Sequence, residues 1–217
     1  MHKVKQVVIL LGPPGSGKGT QADLLTDKLG FLHFGMGQMI RDYIRNHPED
    51  EAVKQRYDHG ILQPDDFILG LFSQKISELM DKHEGIILDA YPMSLNQAQI
   101  LKQFLDQYNI APKVFYIHIT PETVQARLAL RKICTGCKTP FTKGQESYDA
   151  KTCVLCGGHM EVRTDDKPEV IANRIAEYEQ RMVPIRDFYK QLGWLSIIDG
   201  QRDIQEVHND LLKQVAS

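Results

Sequence analysis

Apolar positions cluster in five short runs, at residues 7–11, 31–34, 86–88, 114–119 and 195–198. Each is bounded by Gly, Pro, Asp or Asn, and β-branched residues are prominent in them. Such runs predict strands buried on both faces. Helical spacing fills the stretches between them. The expected fold is therefore α/β, a mainly parallel five-stranded sheet with crossover helices on both faces. The last helix is well signalled. Asp203 can cap it, Glu206 follows three residues on, and Ile204, Val207, Leu211 and Val215 share a face. After Pro168, the spacing of Val170, Ile171, Ile175, Tyr178 and Met182 predicts another helix, which Pro184 should end or kink.

Two stretches break the alternation. Residues 35–64 are polar and helical. Residues 132–164 are rich in Cys, Gly, Thr and Lys and have no helical period. Both are expected to be excursions over the carboxyl ends of the strands, where open α/β sheets bind ligands.

The first run enters Gly12-Pro13-Pro14-Gly15-Ser16-Gly17-Lys18-Gly19-Thr20, and a helical pattern leaves it. This is the strand–loop–helix setting of a phosphate-binding loop. Gly12, Gly15, Gly17 and Gly19 allow the amides to turn toward one anion, with the helix N-terminus behind them. Lys18 adds a mobile cation, and Thr20 a hydroxyl for Mg²⁺ or phosphate. Gly19 stands where the general pattern has Ser or Thr. A glycine-rich turn that only closes a strand is the bland alternative.

The chain has 217 residues, net charge −2 and four cysteines. That charge gives no reason to expect a nucleic-acid or membrane partner. No apolar run approaches membrane-spanning length, and the first six residues carry no signal-peptide core, so a cytoplasmic location is expected. Cys134-x2-Cys137 and Cys153-x2-Cys156, 15 residues apart, have zinc-ribbon spacing. Four thiolates would close a structural tetrahedral Zn²⁺ site. Gly136, Gly157 and Gly158 suit the knuckle turns. Two disulfides or a redox pair are the alternatives, and iron could take the same ligands.

Asp89 ends the third run, a natural place to hold Mg²⁺ through water beside a phosphate loop. Arg127 and Arg131 lie four apart on the predicted helix before the cysteine stretch, and Arg163 and Arg174 follow it. Guanidinium groups could neutralise a moving phosphoryl group, whereas a solvated charged face is the alternative for each alone. The eight histidines, including His33 and His118, gain no catalytic role from spacing, and His118 reads as a hydrogen-bonded structural residue.

Taken together, the loop with Gln21, the segment from Cys134 to Cys156, Cys156-Gly157-Gly158-His159-Met160, Arg163-Thr164-Asp165-Asp166 and Arg174-Ile175-Ala176-Glu177-Tyr178 resemble an adenylate kinase of the zinc-bearing, long-lid type. The resemblance covers nearly the whole chain. It implies the three-layer fold of phosphate-loop nucleoside monophosphate kinases, with a core (1–34, 65–126 and 165–217), a monophosphate-binding flap (35–64) and a zinc-bearing lid (127–164). It implies transfer of the γ-phosphoryl of Mg·ATP to AMP by a monomer. ATP would be held by Gly15, Ser16, Gly17, Lys18, Gly19, Thr20, Arg127, Arg131 and Gln201. AMP would meet Arg41, Gln97, Arg163 and Arg174. Lys18, Arg131, Arg163 and Arg174 would be catalytic, and Asp165 and Asp166 would pair with lid arginines.

The acceptor half departs from the family pattern. Ser-Thr-Gly-Asp-Met-(Leu/Ile)-Arg is replaced by Gly35-Met36-Gly37-Gln38-Met39-Ile40-Arg41. Asp-Gly-(Phe/Tyr)-Pro-Arg-(Thr/Ser) is replaced by Asp89-Ala90-Tyr91-Pro92-Met93-Ser94. Met93 stands for a phosphate-gripping arginine, and Ile61 for a common lysine. A charge-assisted hydrogen bond contributes about 1.5–3 kcal/mol, so each loss could cost from about tenfold to over a hundredfold. Drift with Arg41 and the lid arginines still sufficient is one reading. Altered acceptor specificity or weakened transfer, with Met36, Ile61 and Met93 forming an apolar wall, is the other. Three functions stay open: an AMP kinase, a kinase for another monophosphate, and a nucleotide-binding module with little transfer.

Overall fold

A computed structural model describes residues 3–137, 139–141, 148, 150, 152–162, 166 and 168–216, without the side chains of 77, 78, 168 and 169. In chain order the sheet strands are β1 (Gln6–Leu11), β2 (Leu32–Gly35), β3 (Gly85–Asp89), β4 (Lys113–His118) and β8 (Leu195–Asp199). They form one sheet in the order β2-β3-β1-β4-β8, and every neighbouring pair is parallel. All five predicted strands are present.

Alternation along the strands explains why their sequences read as continuous apolar runs. Val7, Ile9, Leu11, Ile86, Leu88, Val114 and Tyr116 face one core. There they meet α4 (Asp65–Met80), α5 (Leu95–Asp106) and α7 (Pro168–Gln191). Val8, Leu10, Ile87, Phe115, Ile117 and Ile198 face the other. There they meet α1 (Lys18–Leu29) and α8 (Ile204–Ala216). The sheet is thus covered on both sides.

Between β2 and α4 lie α2 (Met36–Asn46) and α3 (Glu51–Asp58), and α6 (Pro121–Ala129) follows β4. The cysteine-rich stretch carries β5 (Lys132–Cys134), β6 (Pro140–Phe141) and β7 (Met160–Val162), an antiparallel sheet in the order β6-β5-β7.

Three helix expectations need correction. Pro184 does not end α7, which runs on to Gln191. Ile185 and Tyr189, buried beyond the proline, anchor the second half and outweigh one lost backbone hydrogen bond. Ile204 opens α8 but is exposed, because the buried face is built from Val207, His208, Leu211 and Val215. Arg131 lies outside α6, which ends at Ala129. Its amide closes a turn on the Leu128 carbonyl at 3.1 Å before β5 begins. His118 also differs from expectation. It ends β4 exposed, stacked beside Tyr116.

Leu10 is fully buried in the central strand, whereas Ile197 on the outermost strand β8 is 64 % exposed. Urea unfolding should therefore show Leu10→Ala costing about 2–5 kcal/mol and Ile197→Ala under about 0.5 kcal/mol. Equal losses at the two sites would place the core wrongly.

Candidate active site

The carboxyl end of β1 turns into the loop at residues 12–17, and α1 starts at Lys18. Gly12 must be glycine here, since a Cβ would lie 2.6 Å from the Ile117 carbonyl oxygen. Gly17 caps α1 in the left-handed region at φ 95°. Gly19 differs from expectation. It is an ordinary helical residue of α1, and a Cβ there would make an ordinary contact with Asp89 Oδ2 at 3.4 Å.

Lys18 folds back over the loop. Its Nζ donates to the carbonyls of Gly12 at 2.7 Å and Pro13 at 3.0 Å. Burial lowers its pKa to about 8. Asp89 opposes that shift, while Arg174 and Arg131 add to it. These groups therefore share one electrostatic site.

A single buried carboxylate organises the arginines. Asp166 accepts from Arg131 Nε and Nη2, both at 2.6 Å, and from Arg174 Nη1 at 2.6 Å. The trio carries a net positive charge in a region of low solvent access. Arg127 donates to the carbonyls of Gly200 at 2.8 Å and Gly15 at 3.3 Å, which fixes it against the loop. Gln201 is exposed, accepts from Thr123 Oγ1 and does not line the cavity, although its neighbours Gly200 and Arg202 do. Arg163 and Asp165 lie outside the described residues.

Asp89 ends β3 beside β1, as the register of Leu10 with Asp89 requires. Its Oδ1 is buried with no protein partner, which fits a carboxylate that holds a hydrated cation. The other oxygen meets His33 Nε2 at 3.4 Å, and His33 Nδ1 lies 2.8 Å from Asp23. Burial alone would lower the His33 pKa. The hydrogen bond to Asp23 and the nearby Asp89 carboxylate more than reverse this, raising it to about 9. Spacing offered no hint of His33, because the pairing of β2 with β3 is what carries it to Asp89.

Two cavities meet here. The larger, about 1100 Å³, is lined by the loop, Thr20, Asp89, Arg127, Arg131 and Arg202. The smaller, about 180 Å³, is lined by Met36, Ile61, Met93, Gln97 and Arg181. Lys18, Arg41 and Arg174 border both. Met36, Ile61 and Met93 thus do share one wall. Arg41 Nε and Nη2 donate to Gln38 Oε1, at 3.2 and 2.7 Å. Gln97 is buried, accepting from the Met93 amide at 2.8 Å and donating to Asp65 at 2.9 Å. Ala90 holds φ 56°, a left-handed conformation that suits the glycine of the family pattern better.

The four cysteine sulfurs lie within 4.8 Å of one another. Two pairs stand at 3.4 and 3.7 Å, near the edge of about 3.8 Å expected for a tetrahedral zinc–thiolate site. The Gly136 amide donates to Cys134 Sγ at 3.3 Å, and a Cβ on Gly158 would lie 2.7 Å from that sulfur. Hydrogen bonding to Thr139 is the main cause that brings the Cys137 thiol down to about 6. All four cysteines are free of disulfides, and the donor set fits a soft-ligand metal such as Zn²⁺.

A parallel sheet with a phosphate loop at its carboxyl edge, facing an arginine cluster across two joined cavities, defines a nucleotide phosphotransferase. The adenylate kinase family model matches residues 10–194. An adenylate kinase from Enterococcus faecalis is 37% identical over 210 residues, covering 95% of this chain and 97% of that protein. One from Dehalococcoides mccartyi is 33% identical over 210 residues, covering 96% and 97%. One from Limosilactobacillus fermentum is 36% identical over 205 residues, covering 93% and 94%. The chain belongs to the adenylate kinase family, and it is a phosphotransferase of the nucleoside monophosphate kinase type. Among the described residues no helix is long and apolar enough to cross a membrane.

Phosphate bound against Lys18 favours its charged form, so the bound pKa must exceed the free value of about 8. Affinity for a non-hydrolysable ATP analogue should be constant below that pH. It should then weaken by up to about tenfold per pH unit above it. Calorimetric titration at several pH values checks this, and a profile that stays flat well above pH 8 would remove Lys18 from phosphate binding.

Proposed function

We propose that this protein transfers the γ-phosphoryl of Mg·ATP to AMP, forming two ADP. The observation that carries this reading is the bordering of both cavities by Lys18, Arg41 and Arg174. Donor and acceptor phosphates seated in the two cavities would meet among these three cations. Transfer then needs positioning and charge neutralisation, with no covalent protein intermediate.

In this reading ATP lies along Gly15, Ser16, Gly17, Lys18, Gly19 and Thr20, with Arg127 and Arg131 at its phosphates. Asp89 holds Mg²⁺ through water, and Mg²⁺ would supply charge neutralisation at the donor phosphates. Arg41, Arg174 and Gln97 address the monophosphate, with Arg163 joining the catalytic arginines. Gln201 would address ATP through its amide NH₂, since its amide oxygen accepts from Thr123 Oγ1. Asp166 holds Arg131 and Arg174 in register. The core comprises 1–34, 65–126 and 165–217, the flap 35–64 and the lid 127–164. Closure of flap and lid would exclude the water that otherwise hydrolyses ATP. The lid replaces a hydrophobic core with Zn²⁺ on Cys134, Cys137, Cys153 and Cys156. Cysteines spaced as metal ligands and a net charge of −2 support a cytoplasmic protein with no nucleic-acid or membrane partner, acting as the monomer that the family resemblance implies.

A second reading rests on the apolar wall of Met36, Ile61 and Met93, which supports weaker grip on the acceptor phosphate or a different acceptor. A panel of nucleoside monophosphates assayed with Mg·ATP separates the two. AMP should be phosphorylated, and Met93→Arg should raise kcat/KM for AMP by about tenfold or more. Failure of the wild type to phosphorylate any monophosphate would sink the kinase reading.

Metal analysis should find about one zinc per chain, as one S₄ set is available. Chelation should strip hydrogen-exchange protection from residues 132–162 before the sheet loosens. Simultaneous loss of protection in both regions would contradict a lid-only role for the metal.

A further inference from the structure

Among the polar residues that border the smaller cavity, Gln63 has a half-satisfied amide and no assigned task. Gln63 sits between α3 and α4, immediately before Pro64, which caps α4. It is 4 % exposed, and it borders the cavity together with Met36, Ile61, Met93 and Gln97. A glutamine so enclosed is unusual unless both ends of its amide are satisfied. Only one end is. Nε2 donates to the Val53 carbonyl of α3 at 2.8 Å, while Oε1 is shielded and has no protein partner.

The Val53 bond determines which end of the amide is spare. Flipping the amide would set Oε1 against the Val53 carbonyl oxygen, two acceptors with no proton between them. The spare group is therefore an acceptor, and it asks for a donor. The terminal torsion of glutamine is soft, so a small rotation lets Oε1 meet a ligand group entering the cavity. The neighbouring wall is apolar, so a nucleobase edge there has few other partners. Gln97 has already committed one lone pair to Met93 and one proton to Asp65.

We propose that Gln63 is a specificity-determining residue of the acceptor site, selecting a monophosphate whose base carries an exocyclic amino group. An amino group gives Oε1 the proton it lacks. A keto oxygen at the same place presents a second acceptor and leaves both unpaired. The inference rests on the reading of the smaller cavity as the monophosphate site, and it adds a residue the family pattern did not supply.

The test pairs a change in the ligand with a change in the residue. AMP, IMP and the purine ribonucleoside monophosphate lacking the 6-amino group are compared as acceptors, by turnover with Mg·ATP and by calorimetric binding. Wild type should favour AMP over both analogues by about fivefold to a hundredfold, the range of one buried hydrogen bond. Gln63→Met, which keeps the volume but removes the acceptor, should shrink that preference at least about fivefold. Gln63→Leu serves if the methionine variant folds poorly, and the wild-type comparison of ligands needs no variant. An AMP preference unchanged in the folded variants, or absent in wild type, overturns the role of Gln63. Should no monophosphate be phosphorylated while AMP still binds with a Gln63-dependent preference, the transfer reading fails and the recognition inference stands.

Discussion

Crowded positive charge at the carboxyl ends of the strands is the constraint around which the site is built. Burial is the main cause of the lowered Lys18 pKa, and Arg174 and Arg131 lie close enough to add to it. Such a cluster repels itself, and the fold holds it by two devices. Backbone carbonyls of Gly12 and Pro13 accept from the lysine, and Asp166 accepts from both arginines. Neither device neutralises the cluster fully, so the site is preorganised for an anion with several charges. The cost falls on the core, and the sheet, covered on both faces, is what can carry it.

The smaller cavity poses a different problem. Gln38 accepts from Arg41 through a neutral amide oxygen, which orients the guanidinium while leaving its charge uncompensated. Asp65 collects Ser94 Oγ at 2.6 Å and Gln97 Nε2 at 2.9 Å, tying the start of α5 to the start of α4. The cavity so framed is small, and Met36, Ile61 and Met93 make one of its walls apolar. The cavity thus combines an apolar wall with the cations Lys18, Arg41, Arg174 and Arg181 on its border.

The cysteine stretch follows a third logic. Its described strands have two or three residues each, and little apolar surface lies between them. Four sulfurs gathered within 4.8 Å of one another could hold a metal, which would supply the cross-links that such a small sheet lacks. Because Arg131 directly precedes β5, the position of this sheet and the position of a site arginine are linked.

Periodicity and spacing in the sequence settled what local chemistry can settle. Apolar runs marked all five strands, most clearly the inner β1, β3 and β4, which are buried on both faces, and less so the edge strands β2 and β8, which carry His33 and Ser196. The glycine-rich loop, Asp89 at the end of a strand and the paired cysteines were legible because their chemistry depends on short spacings. Four features were decided only in three dimensions. Arg131 left its helix where local turn geometry ended α6, and α7 passed through Pro184 because buried residues beyond it outweighed the local penalty. His33 met Asp89 through strand register, and Gln63 became an acceptor because a carbonyl ten residues away holds its amide. The last three depend on which distant groups share a volume, and hydrophobic periodicity carries no information about that.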